Sequence, residues 1–281
     1  MQYGVVILGA MVVQIELPAA HDHVYPGVLW GSVDAFPSPA YWAYQVLARR
    51  VQGTRINFKL GDTLREEVGA CLLGGHGIPA RVGLAAFKKL KKNGAFVGKS
   101  PDEQTLFDLL SDFIELDGKN IRYRFARQKA KYLSAALTKL DQEVPSFDTG
   151  KQLRDWLLDI SGVGLKTASW IARNWLDADD VAILDIHILR AGLLAGFFPR
   201  GLTVERDYLE LESKFLAFSD GLGVRASELD AVIWWEMMSS GKTVNKLLGQ
   251  INEADSTSPL SSSRRRTNNR NTNSADQLVL V

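Results

Sequence analysis

After about Ser38, apolar residues recur along the chain at i, i+3, i+4 and i+7, the spacing that lines one face of a helix. Ser38-Pro39 opens a stretch carrying Trp42, Val46 and Leu47, and Asp62 opens another carrying Leu64, Val68 and Leu72. Ser100-Pro101-Asp102-Glu103 has the form of a capping box ahead of Leu106, Leu109, Leu110 and Phe113. Ala126, Ala130, Leu133, Leu137 and Leu140 make one continuous stripe, and Leu229, Val232 and Ile233 begin a later one. The pattern predicts eight or nine helices and no clear sheet, so an all-α, multi-helix fold is expected over residues 38–250. Residues 1–37 read as an N-terminal extension of unassigned structure. Within it, the apolar run Tyr3 to Val13 is too short to span a bilayer and has no basic flank before it, which disfavours a secretory signal. A buried strand, or a misplaced start codon, accounts for that run equally well.

Helical periodicity disappears near Asn252, where the composition turns to Ser, Thr, Asn and Arg and includes Ser261-Ser262-Ser263-Arg264-Arg265-Arg266. Residues 251–281 are therefore expected to be a disordered tail, solvated and without a role, although its arginines would attract phosphate. The whole sequence of 281 residues is 46% hydrophobic and 23% charged, as a globular chain of one large or two small domains would be. Lys plus Arg number 33 against 32 Asp plus Glu, so bulk charge gives no argument for nucleic acid and any such face must come from clustering. Cys71 is the single cysteine, which excludes an internal disulfide and a cysteine-rich zinc or iron-sulfur site. A cytoplasmic protein with no membrane partner is the expectation.

Chemistry concentrates in one segment. Leu153, Trp156, Leu157 and Ile160 recur at helical spacing before Ser161-Gly162-Val163-Gly164, and Ala168, Ile171, Ala172 and Trp175 repeat the spacing after it. Two amphipathic helices thus flank a Gly-x-Gly hairpin. Gly162 and Gly164 permit positive φ and close backbone approach, so hairpin amides and the start of the second helix can converge on an anion. A Gly-x-Gly turn also occurs where helices simply need to turn. Leu165, Lys166 and Thr167 follow, and Asp185 and His187 stand downstream, Asp185 being 19 positions after Lys166.

These residues resemble the helix-hairpin-helix signature of base-excision DNA glycosylases, Leu-x-x-hydrophobic-x-Gly-hydrophobic-Gly-x-Lys-x-Ala. Lys at 166, the carboxylate 19 residues on and His two beyond it are similar to the 8-oxoguanine DNA glycosylase/lyases, closest to their compact microbial branch. Leu184 stands where the family has Pro before the Asp. The resemblance implies a helical glycosylase domain of two lobes with a cleft, with the helix-hairpin-helix at 151–175. It implies that Lys166 attacks C1′ of an extruded nucleotide, expels the damaged base and forms a Schiff base that permits β-elimination. Asp185 would stabilise positive charge on the deoxyribose and manage the Lys166 proton, while also being well placed to cap the helix starting at Ile186. Gly162, Val163 and Gly164 become DNA contacts, and His187 a phosphate contact. No cofactor or protein-held metal is implied; a monovalent cation bridging hairpin and phosphate is the one option.

Further positions follow from the same resemblance. The run Arg122-Tyr123-Arg124-Phe125-Ala126-Arg127-Gln128-Lys129-Ala130 is similar to a segment of the compact branch, making Arg127 and Lys129 candidate DNA contacts, with a solvated helix face as the alternative. Asp230 and Trp234, one turn apart, match a C-terminal helix that binds the flipped nucleotide and stacks on the base. Trp170, one turn after Lys166, is either a pocket wall or packing, and packing is favoured. The compact enzymes end just after Gly-Lys and read the lesion with a terminal carboxylate; this chain continues past Lys242, so that contact does not carry over. The expected protein is a monomeric, nucleoid-associated glycosylase and abasic-site lyase acting on 8-oxoguanine in double-stranded DNA. The alternatives are an endonuclease-III-like enzyme for another oxidised base and a non-catalytic helix-hairpin-helix binding module.

Overall fold

The computed structural model describes residues 1–54, 59–75, 77–142 and 144–256. They divide into two compact units. The described residues within Met1–Arg55 and Leu184–Asn273 make one, and those within Ile56–Ile183 make the other.

The chain starts the first unit with two small hairpins, β1 (Gln2–Leu8) with β2 (Met11–Leu17) and β3 (His23–Tyr25) with β4 (Val28–Leu29), followed by helix α1 (Pro39–Val51). The apolar run Tyr3 to Val13 is thus the greater part of a hairpin and not a single buried strand, with pairing in register from Gln2↔Leu17 to Leu8↔Met11. Its period is two: Val6, Ile15 and Leu17 are buried, whereas Tyr3, Val5, Ile7, Met11 and Val12 are exposed. Gln2 ties the hairpin down, donating from Nε2 to Pro18 O (2.9 Å) and Gly31 O (2.8 Å) and accepting from Val33 N (2.8 Å). Tyr44 of α1 donates to Val5 O (2.6 Å), and its ring lies where a side chain on Gly4 would stand. Residues 1–37 are therefore a folded part of this unit, and sheet is present where helical periodicity gave none.

The second unit holds α2 (Leu64–Leu73), α3 (Ala80–Lys92), α4 (Glu103–Ser111), the hairpin β5 (Ile114–Leu116) and β6 (Lys119–Ile121), α5 (Ala126–Leu140), α6 (Gly150–Leu157) and α7 (Leu165–Leu176). Its core joins Val68, Leu72, Leu90, Leu106, Leu110, Leu133, Leu137, Leu153, Leu157 and Ile171, all almost inaccessible to solvent. Truncating any of these leucines to Ala would cost about 2–5 kcal/mol. Two predicted helix starts shift for local reasons. Thr63 caps α2 through Glu66 N (3.2 Å), leaving Asp62 to pair with Lys91; Asp102 caps α4 through Thr105 N (2.7 Å), so Ser100 forms no box.

The chain returns to the first unit with α8 (Ile186–Ala195), α9 (Tyr208–Gly221), α10 (Ala226–Ser239) and α11 (Gly241–Ser256). Phe197 stacks on Phe218 at 3.9 Å between ring centroids, and α10 packs against α1, α8 and α9. Eleven helices are present among the described residues, and α11 runs beyond residue 251. The remainder of the expected tail, 257–281, lies outside the described residues. No described helix is long and apolar enough to cross a membrane.

Candidate nucleic-acid interface and active site

Helix α6 begins with a capping box between Thr149 and Gln152, reinforced by Asp180, which accepts from Gly150 N (2.9 Å) and Lys151 N (3.0 Å). The hairpin follows. Val163 is buried and its amide donates to Ile160 O (3.0 Å), so this residue serves the turn itself rather than offering an N–H to DNA. Gly162 has φ +87°, and a Cβ there would fall 2.2 Å from the Tyr132 ring. Both the backbone and the neighbour from α5 demand glycine. Gly164 differs: its φ is −98°, a conformation any residue adopts, and no atom lies within 4 Å of where its Cβ would be. Among the described residues, nothing crowds position 164 enough to require glycine. Gly164 caps α7 without a side-chain hydrogen bond, and Lys166 in the first turn is half-buried. The dipole of such a start attracts anions.

Helix α7 is fixed by a buried polar tie to α2. The Glu67 carboxylate, fully buried, accepts from Asn174 Nδ2 (2.7 Å), Leu60 N (2.7 Å) and Gly61 N (2.8 Å). Burial, then the neighbouring Glu67 charge, pushes the Cys71 thiol well above its usual range, leaving it an unreactive protonated group. The Trp170 ring lies about 3.4–3.5 Å from the position of a Cβ on Gly74, so it packs against the end of α2.

The basic run that leads into the first turn of α5 has mixed duties. Lys129 donates to Leu72 O (2.6 Å) and Gly74 O (3.0 Å), and Tyr123 OH donates to Leu73 O (2.6 Å), satisfying three carbonyls at the end of α2. Burial lowers the Lys129 pKa. Its ammonium is thus held by the protein's own backbone, where the resemblance to the compact branch made it a candidate DNA contact. Arg127 is exposed, with its guanidinium 4.3 Å from the Phe107 ring centroid, a placement that leaves its outer edge to solvent.

In the other unit, Asp185 caps α8, its Oδ1 accepting from His187 N (2.8 Å) and Ile188 N (3.1 Å). Leu184, which occupies the family's proline position, donates its amide to Tyr208 OH (3.3 Å), a bond proline has no hydrogen to make. The His187 and Trp234 rings meet edge to face at 6.3 Å, which joins the start of α8 to α10. Asp230, one turn before Trp234, is 3% exposed, while Trp234 is half-buried. Sequence reasoning missed Tyr132, Tyr208 and the Glu67–Asn174 tie. Only the last had a local signal, an acidic residue set among the apolar positions of α2.

A sequence model of the family described as 8-oxoguanine DNA glycosylase matches residues 55–224, more than half of the chain and the whole span from α2 to α9. The chain belongs to the 8-oxoguanine DNA glycosylase family. Its curated relatives include the 8-oxoguanine DNA glycosylase/AP lyase of Methanocaldococcus jannaschii, 36% identical over 132 residues, which are 45% of this chain and 62% of that one. The enzyme of the same name from Metallosphaera sedula is 32% identical over 166 residues, 54% of this chain and 78% of the relative. The match to the M. jannaschii relative thus spans under two thirds of that protein's length. Among solved structures, the M. jannaschii 8-oxoguanine DNA glycosylase superposes with a TM-score of 0.53 at 25% identity, covering 72% of this chain and 94% of that one. Tm1821, the 8-oxoguanine DNA glycosylase of Thermotoga maritima, shares the fold with a TM-score of 0.51 at 23% identity, covering 70% and 96%. Residues 1–54 and α10 lie outside the span that the 8-oxoguanine DNA glycosylase family model matches.

Proposed function

We propose that this protein is a bifunctional DNA glycosylase and abasic-site lyase that removes 8-oxoguanine from double-stranded DNA. The observation that carries this reading is the family match over 55–224, which takes in both the hairpin with Lys166 and the capped Asp185. Gly164 supports it: a glycine that its own fold does not need leaves room for a phosphate backbone to approach the start of α7. In the reaction, the Lys166 amine attacks C1′ as the glycosidic bond breaks and the base departs with the bonding electrons. Ring opening gives an iminium between Lys166 and the sugar. Loss of a C2′ proton then breaks the C3′–oxygen bond, releasing the 3′ phosphate as leaving group. Asp185 stabilises positive charge on the sugar, and the cap it forms fixes its rotamer. Asp230 and Trp234 meet the extruded base, the indole by stacking, which is worth about 1–3 kcal/mol per base.

Borohydride trapping on a duplex with 8-oxoguanine opposite cytosine tests the reading. Wild type should give a covalent adduct and Lys166→Gln none, while Asp185→Asn should keep DNA binding and lose most base release. No adduct with wild type, or equal adducts with both, would falsify the lyase assignment and leave a binding module. Parallel duplexes with thymine glycol and uracil separate 8-oxoguanine from other damaged bases.

A further inference from the structure

Helix α10 is held from behind. Tyr41 OH donates to Glu236 Oε2 (3.1 Å) and Arg49 Nη2 to Glu236 Oε1 (3.0 Å), so each carboxylate oxygen takes one donor from α1. Arg50 pairs with Glu228, about two turns earlier on α10. At 3.6 residues per turn, Glu228 and Glu236 share one side of the helix, and Asp230 and Trp234 lie about 180° around from them. The Trp234 side faces α8, where its ring meets His187. Helix α10 is therefore gripped by α1 on one side and presents Asp230 and Trp234 on the other.

Apolar packing alone leaves such a helix poorly registered. Leu229, Val232, Ile233 and Met237 are buried, but contacts of this kind tolerate rotation and sliding, because dispersion has little directionality. A carboxylate taking two donors from fixed points has one good position. The Tyr41–Glu236–Arg49 group is partly shielded, with Arg49 and Glu236 side chains 22% and 20% exposed. Burial first, and then Glu236, pushes the Tyr41 phenol up to about 12, so its proton stays in place to donate through the physiological range. Helix α1 is itself anchored to the rest of residues 1–54 through Tyr44 and the Gln2-centred hairpin.

We propose that residues 1–54, which lie outside the matched family span, are a splint for the base-reading side of α10, with Tyr41, Arg49 and Arg50 as positioning residues. The proposal rests on the reading that Asp230 and Trp234 meet the extruded base. A displacement of about 1 Å at a reacting group can cost about 100-fold in rate. An abasic site has no base for α10 to hold, so cleavage at such a site depends on Lys166 and not on the splint.

The test compares two reactions of the full chain: single-turnover release of 8-oxoguanine from a duplex, and β-elimination at a preformed abasic site. Tyr41→Phe/Arg49→Met should slow base release about tenfold or more and change β-elimination less than about twofold. Tyr41→Phe/Arg49→Lys, which keeps the ion pair, should recover much of the loss. Tyr41→Phe alone, which removes one hydroxyl, serves if the double variant does not fold, and should show the same selective loss at smaller size. Equal losses in both reactions, or none in either, would overturn the splint. A wild-type protein that neither releases base nor cleaves abasic sites defeats the proposed function itself, and the splint with it.

Discussion

Replacing Gly162 with Ala imposes two separable costs. The residue sits at φ +87°, where a Cβ costs about 1–2 kcal/mol. The same Cβ would fall 2.2–2.5 Å from three Tyr132 ring atoms, so the ring or the hairpin must move, an overpacking cost of about 1–3 kcal/mol. Gly162→Ala should therefore destabilise the protein by about 2–5 kcal/mol, read as a fall in the urea midpoint followed by far-UV circular dichroism. Removing the ring separates the terms: in Gly162→Ala/Tyr132→Ala the clash is gone and only the backbone cost remains. The double variant should be more stable than the sum of the singles predicts by about 1–3 kcal/mol. Gly164→Ala is the internal control, because its backbone is extended and its surroundings are open. Its stability should stay within about 0.5 kcal/mol of wild type while affinity for duplex DNA falls. Additive singles, or a Gly162→Ala variant as stable as Gly164→Ala, would refute the account of how Tyr132 shapes the hairpin.

The other predictions concern charged groups with assignable jobs. Lys129→Met leaves the Leu72 and Gly74 carbonyls without their donor and should cost about 1–2 kcal/mol, partly offset because a buried charge is removed. The slope of DNA affinity against salt should not change, whereas a phosphate contact would reduce it by about one. Asp102 and Asp141 have carboxyls held below their ordinary value, Asp102 by hydrogen bonds from Thr105 and Asp141 by Ser100 and Arg65. A lowered folded pKa adds stability above the unfolded value of about 3.9, and that stability is lost as pH falls through the folded one. The urea midpoint should drop below about pH 4, and Asp102→Asn/Asp141→Asn should flatten that fall; an unchanged acid limb removes these groups from it.

The hairpin and its two helices were legible in sequence because every feature is local: a Gly-x-Gly turn, a lysine two residues on, and apolar stripes on each side. Asp185 as a cap was legible for the same reason. Lys129 was not, since a lysine in a basic run looks alike whether it meets water, phosphate or carbonyls nearly sixty residues earlier in the chain. The period-two pattern of Gln2–Leu17 was present, but a short apolar run does not distinguish a strand from a leader until its partner strand is known. The bonds of Tyr41 and Arg49 to Glu236 carry no sequence signal, because no local rule links side chains so far apart. At Leu184, which stands where the family has proline, the turn depends on Tyr208, a residue 24 positions on that supplies the acceptor its amide requires.

The first unit is made from both sides of an insertion, and this sets an order for its biosynthesis. Tyr41, Arg49 and Arg50 meet partners 195, 187 and 178 residues downstream. At a translation rate of about 5–20 residues per second, α1 waits roughly 10–40 s after synthesis before α10 exists. By then the whole sequence of the second unit, with its own core from Val68 to Val181, has been made. The middle of the chain is thus free to fold on the ribosome before its ends close around each other. During that interval, Trp42, Ala43 and Val46 of α1, which the finished unit buries, have no α10 to pack against.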